Sequence, residues 1–462
     1  MRRLEEKKAD MLRTPRTDSR NAHRDRLAGR IAEGSAHIAV IGMGYVGLPT
    51  AVFFARAGFP VVGIDVDAAK VRRIADGSSY IDDVPDADLQ AVVRGSRPRL
   101  SATTDYEVLR TADVIQICVP TPCTRNKEPD TSHIRAAAEG IAAHGRPGQL
   151  VILRSTSYPG TTRELVGPIL EKAGHTVGGD VFLAFVPERI DPGRKAPPPQ
   201  RIPVVVGGVD EGGAALAEAL FARVAEQVVR VSSADAAEMT KLLENVFRNV
   251  NIALVNQLAL LCDRMGLDVW EIVDAAATKP YGFMRFSPGP GVGGHCIPVD
   301  PYYLSWKARE YDFHMDFIEL AARVNDEMPY FAANKVLTAL RNPGRVSPAP
   351  AAPRVLVLGV TFKKDVADER HSPAVKVIEL LRRGGAAVDY HDPYVSVLRL
   401  NDADLRSVPL SADLLKGYDA VVIATDHSAF DYAWVVDHAR LVVDLRNATA
   451  PVRRGREKIV RL

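Results

Sequence analysis

Cys296 lies in the stretch Gly291–Tyr303, which reads GVGGHCIPVDPYY, just after the glycine pair Gly293 and Gly294 and four residues before an acid, Asp300. A thiolate is a strong nucleophile, and its attack on a carbonyl carbon makes a covalent intermediate. Two glycines beside the sulfur remove side-chain bulk, so a substrate ring or backbone is expected to approach closely. Taken alone, a cysteine in a Gly/Pro loop is more often a structural residue. The chemical reading rests on what the remainder of the chain places around it.

A redox cofactor site is written near the start. His37–Ile41 reads as a short buried strand, and Gly42-Met43-Gly44-Tyr45-Val46-Gly47 follows at once. An apolar helix-compatible run comes next, and then a second strand ending in Asp65, 18 positions after Gly47. Strand, glycine turn, helix, strand and acid is the context that makes a GxGxxG pattern informative. The glycines let a pyrophosphate reach the backbone, and the helix N-terminus offers it free N–H groups. A carboxylate at Asp65 accepts from ribose hydroxyls and repels a 2′-phosphate, so NAD is expected over NADP; Lys70 joins it as a cofactor-binding candidate. Further strands at Asp113–Val119 and Gln149–Leu153 place Thr121 and Thr156 at strand ends, where ligands bind in parallel sheets. The strand Val181–Val186 closes with Glu188 and Arg189; a carboxylate there suits a general base, with a loop ion pair as the ordinary alternative.

From Ala234 to Met265 the pattern turns helical and is apolar over much of its circumference. Lys241, Asn245 and Asn249 recur every fourth residue, with Arg248 beside them, so they share a face. Amides and an ammonium among Leu, Val and Phe are costly without polar partners, which a bound ligand would supply. Beyond a Pro-rich linker at 341–353 the α/β rhythm resumes without a GxGxxG. There Phe362, Lys363 and Arg446 fall at expected strand ends, an aromatic and two cations suited to a nucleotide-sized ligand.

The chain has 462 residues, room for two or three domains, and a net charge of +2, too balanced to imply nucleic acid or a membrane surface. Its four cysteines, Cys118, Cys123, Cys262 and Cys296, form no CxxC pair, so neither a disulfide framework nor a metal site is expected, and a cytoplasmic setting is. Residues 1–34 mix charges without an apolar core. They are expected to be a disordered or loosely ordered extension rather than a signal peptide. The remainder divides into a cofactor-binding domain at 35–233, a central helical domain at 234–340 carrying the cysteine loop, and a nucleotide-binding domain at 354–462.

GMGYVG, VPTP, KLLENVFRNVNIA, GGHCIPVD and GVTFKKDVADERHSP, in this order, resemble the UDP-glucose/GDP-mannose dehydrogenase family from about His37 to Arg446. VPERIDPG, TKPYGFM and PGPGVGGHCIPVDPYYL look most like its bacterial members acting on UDP-N-acetylhexosamines, with UDP-N-acetylglucosamine the expected substrate. Arg285 and Ser287 depart from that type, which would have Pro and Tyr there. The resemblance implies an α/β protein of two Rossmann-like doubly wound domains joined by a long central helix, through which a homodimer or an assembly of dimers forms. It also implies oxidation of the sugar C6 alcohol to a uronate through a thiohemiacetal and thioester on Cys296, with Glu188 as base in hydrolysis. Lys241, Asn245 and Asp300 would stabilise the oxyanion or position water, and Thr156 and Lys363 would line the site. Phe362, Lys363 and Arg446 would hold the nucleotide with Arg189 and Arg248 at the substrate, and Arg370 would reach a cofactor. Two other readings fit parts of the chain: a two-electron hydroxyacid-type dehydrogenase, which leaves Cys296 unused, and an inactive NAD-sensing scaffold.

Overall fold

The computed structural model describes residues 16–81, 83–124, 126–189, 199–342, 352–400 and 403–462. The chain divides into two compact units between Leu243 and Glu244, inside the helix Ala234–Met265 expected to open a separate central domain. Most of the expected linker, and residues 190–198, lie outside the described residues.

In the first unit eight strands are described: β1 (Ile38–Ile41), β2 (Val61–Ile64), β3 (Leu100–Thr103), β4 (Val114–Ile117), β5 (Gln149–Leu153), β6 (Val181–Phe185), β7 (Val204–Gly208) and β8 (Val228–Arg230). They form one sheet in the order β3-β2-β1-β4-β5-β6-β7-β8, parallel except where β6 meets β7. The order reverses between β1 and β4, which opens a crevice at their C-terminal ends. The central strands are buried at every residue, as continuous Val/Ile/Leu runs covered on both faces must be.

Residues 16–33 of the expected extension form the helix Arg16–Glu33, whose Leu27 and Ile31 enter the core of this unit, so this part is ordered by packing. Each such burial contributes ~2 kcal/mol. Arg30 pairs with Asp113 at 2.6 Å, and Arg223 donates to the Ala32 carbonyl at 2.9 Å. Leu27, Ala28 and Ile31 make one short stripe, which the charged residues around it conceal in any average over the segment.

The second unit has β9 (Arg354–Leu358), β10 (Ala387–His391), β11 (Val397–Arg399), β12 (Asp404–Arg406), β13 (Ala420–Ile423), β14 (Val442–Asp444) and β15 (Ile459–Arg461). Five of these form a parallel sheet in the order β10-β9-β13-β14-β15, and β11 with β12 makes an antiparallel pair. The switch point here lies between β9 and β13. The helix Asp316–Arg341 lays Met328, Ala332, Val336 and Leu340 into the core shared with Val355, Val357 and Ile378. The fold is therefore α/β, two Rossmann-like units joined by the long central helix. None of the described helices is long and apolar enough to cross a membrane.

Candidate active site

In the first unit the C-terminal strand ends gather the Gly42–Gly47 turn after β1, Asp65 after β2, Thr121 beyond β4, Thr156 after β5 and Glu188 after β6. The turn is close-packed at both ends. Gly42 has φ +89°, and a Cβ on it would stand 2.6 Å from the Cys118 carbonyl oxygen, while one on Gly47 would stand 1.7 Å from the Gly42 oxygen. Gly44 differs, since a Cβ there would meet nothing within 4 Å. That open backbone at a helix N-terminus, with a carboxylate at the next strand end, fits a dinucleotide pyrophosphate and ribose. Asp65 is buried, and accepts from Met43 N at 2.8 Å, Asp67 N at 2.9 Å and Lys70 Nζ at 3.2 Å. Lys70 thus braces the acid, and the acid braces the turn. Asp65→Ala should therefore lower turnover with NAD⁺ while narrowing its margin over NADP⁺. The ratio of kcat/KM values measures this, and equal turnover with both cofactors in the parent protein would refute the ribose assignment.

Glu188 takes part in an ion pair, the ordinary alternative for a carboxylate at this strand end, with a partner that the sequence did not name. Arg154, 7 % exposed, donates to its Oε2 at 2.7 Å, and Arg189 N donates to its Oε1 at 2.8 Å. The Arg154 guanidinium lies 5.3 Å from the centre of the Phe221 ring, and its Nε is buried with no acceptor among the described residues. Arg154, Glu188, Arg189 and Phe221 border a recess of about 620 Å³. Lys241 is also buried, at 9 % exposure, and no acceptor among the described residues is paired with it. Cys118 is buried, and burial pushes its thiol up to about 12, against its acting as a nucleophile.

The second unit carries the cysteine loop. Cys296 is exposed, whereas Cys262 is buried. Asp300 opens the helix Asp300–Ala308, and its N–H donates to the Cys296 carbonyl at 2.8 Å, so thiol and acid stand one turn apart. Asn245 Nδ2 donates to the buried Asp300 Oδ2 at 2.5 Å. The structure therefore brings Asn245, Asp300 and Cys296 together. Asn249 departs from its expectation: its side chain meets protein rather than awaiting a ligand. Asn325 Nδ2 donates to Asn249 Oδ1 at 2.8 Å, Asn256 Nδ2 donates to Asn325 Oδ1 at 2.9 Å, and Gly289 N donates to Asn256 Oδ1 at 2.9 Å. The glycine pair also departs. A Cβ on Gly293 would stand 2.7 Å from both the His371 carbonyl and Phe362 Cβ, and one on Gly294 would stand 2.8 Å from the Phe362 ring. The space freed by these glycines is taken by protein. Burial and then Arg370 hold the neighbouring His295 below the usual imidazole value.

At the second switch point Phe362 and Lys363 follow β9, and Arg446 follows β14. Phe362, half-buried, faces the cysteine loop through Gly294. Arg446 Nε donates to the Ala424 carbonyl at 3.0 Å, and Gly289 packs against its guanidinium. The loop after β9 is held by the buried His427, whose Nδ1 accepts from Asp365 N at 3.0 Å and whose Nε2 lies 3.1 Å from Asp392. Arg370 is clamped by Asp368 at 2.7 and 2.6 Å. Arg285 pairs with Asp274 and donates to Ser287 at 2.7 Å.

Sequence models of the UDP-glucose/GDP-mannose dehydrogenase family match the chain in three parts: the NAD binding domain over residues 36–225, the central domain over 235–327 and the UDP binding domain over 356–451. The chain is 39 % identical over 393 residues to a UDP-N-acetyl-D-mannosamine dehydrogenase of Pyrococcus horikoshii, covering 85 % of this chain and 90 % of the other. It is 36 % identical over 397 residues to a UDP-N-acetyl-D-glucosamine 6-dehydrogenase of Pseudomonas aeruginosa, covering 85 % and 91 %. Among solved structures, the UDP-D-ManNAc dehydrogenase from Pyrococcus horikoshii superposes with a TM-score of 0.81 at 35 % identity, over 92 % of this chain and 98 % of that one.

Proposed function

The chain belongs to the UDP-glucose/GDP-mannose dehydrogenase family and is an NAD-dependent UDP-sugar dehydrogenase, and from that premise we propose that it carries a UDP-N-acetylhexosamine, UDP-N-acetylglucosamine first among them, from the C6 alcohol to the uronate through a thioester on Cys296. The observation that carries this reading is the exposed Cys296 one helical turn from a buried Asp300 that Asn245 holds. UDP-N-acetylmannosamine is the second reading, favoured by the naming of the Pyrococcus relative.

Gly42, Met43, Gly44, Tyr45, Val46 and Gly47 with Asp65, Lys70, Thr121 and Thr156 would hold NAD, which would supply a two-electron hydride acceptor for each of the two oxidations. The chain's own residues do the rest. The Cys296 thiolate adds to the C6 aldehyde, forming the S–C bond as the carbonyl pair moves onto oxygen. Lys241 and Asn245 stabilise that oxygen as fixed donors aimed at developing charge. Once the adduct has been oxidised to the thioester, Glu188 takes a proton from water, the hydroxide attacks, and the C–S bond breaks with its pair returning to sulfur. Asp300 orients the water or the Asn245 amide. Phe362, Lys363 and Arg446 hold the nucleotide, Arg189 and Arg248 the remainder of the substrate, and Arg370 reaches a cofactor. A cytoplasmic setting is part of this reading, from four scattered cysteines that form no CxxC pair.

The stoichiometry of NADH formed per UDP-sugar consumed, run over UDP-N-acetylglucosamine, UDP-N-acetylmannosamine, UDP-N-acetylgalactosamine and UDP-glucose, tests this. Two NADH support the four-electron reaction, one supports a simple alcohol dehydrogenase, and none a scaffold. Assembly follows from the central helix. Its exposed Met239, Leu243, Phe247, Leu254, Leu261 and Met265 fall within an arc of about 80° at 100° per residue. A second copy packed on that stripe would make a homodimer, or the base of a larger assembly. Sedimentation at micromolar concentration should show at least a dimer, and a monomer there would contradict the stripe's assignment.

A further inference from the structure

Glu238, on the central helix, is 1 % exposed, and its carboxylate accepts hydrogen bonds from residues outside that helix. Its Oε2 accepts from Gly160 N at 2.6 Å, and its Oε1 accepts from Thr162 N at 2.9 Å and Thr162 Oγ1 at 2.6 Å. Gly160 closes the loop 155–160 at φ +100°, and Thr162 belongs to the turn Thr161–Val166 that follows it. At its other end the loop is fixed by Ser155 Oγ, which donates to the Val119 carbonyl at 2.7 Å. Thr156 thus sits on a short loop pinned at both ends, once to the strand β4 side and once to the central helix. Lys241 follows Glu238 by three residues, on an adjoining face of the same helix.

We propose that Glu238 is a positioning residue, which sets the loop carrying Thr156 at a fixed distance from the helix turn carrying Lys241. This rests on the roles proposed above for those two residues. A carboxylate accepting three short hydrogen bonds across two elements is a rigid strut, and a shift of an ångström in a positioned group costs roughly a hundredfold in rate. The charged groups around it are Asp235 and Lys241 on its own helix and Arg163 and Glu164 on the facing turn. Arg163 bridges Asp235 at 2.7 Å and Glu164 at 2.9 Å. Burial pushes the Glu238 carboxyl up to about 7, against the pull of the Thr162 and Gly160 donors. Its acceptor character therefore changes near neutrality, and Glu238→Gln reproduces the neutral form with one acceptor replaced by a donor.

The experiment compares the parent with Glu238→Gln and Glu238→Asp by thermal melting, NAD⁺ titration and kcat and KM for UDP-N-acetylglucosamine and UDP-N-acetylmannosamine, with Thr156→Ala and Lys241→Ala alongside. The Gln variant strands one of the two facing N–H groups and should melt somewhat below the parent, yet bind NAD⁺ as well as the parent does and lose roughly a hundredfold in kcat. The Asp variant, which keeps the charge on a shorter stem, should recover part of that loss. The parent's kcat should also fall between about pH 8 and about pH 6 through a component the Gln variant lacks. If Thr156→Ala and Lys241→Ala lose activity while Glu238→Gln stays within about threefold of the parent, the strut is wrong and the proposed roles stand. If both alanine variants keep the parental kcat, those roles fall and the inference falls with them. If melting temperature, NAD⁺ affinity and kcat fall in parallel in the Gln and Asp variants, Glu238 only holds the fold and the inference is overturned. Should the Gln variant fail to fold, the Asp variant carries the comparison.

Discussion

Cys296→Ala should abolish uronate formation, by roughly three orders of magnitude or more, while leaving folding and NAD⁺ binding intact. The side chain is exposed, and the Cys296 carbonyl that accepts from Val299 N and Asp300 N at the start of the helix is untouched by the substitution. Cys296→Ser is the more diagnostic change. A serine oxygen can add to the aldehyde, but the ester it forms hydrolyses slowly beside a thioester. That variant should give at most a burst of NADH and then hold a covalent sugar adduct, visible as added mass on the intact chain. The parent's activity should fall in acid as nucleophile or base takes up a proton. Near-parental uronate production by Cys296→Ala would remove the covalent route and return Cys296 to the status of a loop cysteine.

The glycine turn should separate two failures that the motif alone runs together. Gly47→Ala places a Cβ 1.7 Å from a backbone oxygen, so the turn must rearrange and the first unit should lose stability along with its cofactor site. Gly44→Ala has empty space to enter, so the variant should melt like the parent. Its methyl group would stand where the pyrophosphate approaches, and NAD⁺ affinity should drop by roughly a hundredfold, about 2.8 kcal/mol. Calorimetric titration beside a melting curve distinguishes the two. Undiminished NAD⁺ binding by Gly44→Ala would mean that the cofactor does not pass over this turn.

What was readable in the sequence follows from how local the signal is. The helix Ala234–Met265 has the bounds its periodicity implies, and β5 those of its apolar run. The strand–turn–helix–strand frame puts Gly42–Gly47 at the end of β1, beside the sheet's switch point, and Asp65 at the end of β2. Partnerships across long separations were not readable. Arg154 and Glu188 are 34 residues apart, and Glu238 meets Thr162 across 76. An arginine after a strand or a glutamate in a helix carries no mark of such a partner until the chain is folded. The glycines at Gly293 and Gly294 were read as room for a ligand, and only the folded chain shows Phe362 and His371 occupying that room. The stripe on the helix Arg16–Glu33 was too short to stand out from its charged surroundings.

The chain of amides from Asn249 through Asn325 and Asn256 to the Gly289 backbone constrains how this protein can vary. Replacing any one asparagine with an apolar residue strands a buried donor or acceptor on its neighbour, at a cost of roughly 1–3 kcal/mol. The same replacement made at all three would strand little more than the single Gly289 N–H. The sites are therefore epistatic: each substitution is harmful on the background of the others and nearly tolerable once they have changed. A lineage taking single steps would have to cross a less stable intermediate, so the trio should be inherited as a block or exchanged as a block. In a library screened one position at a time all three would score as indispensable, though none of them is aimed at a substrate.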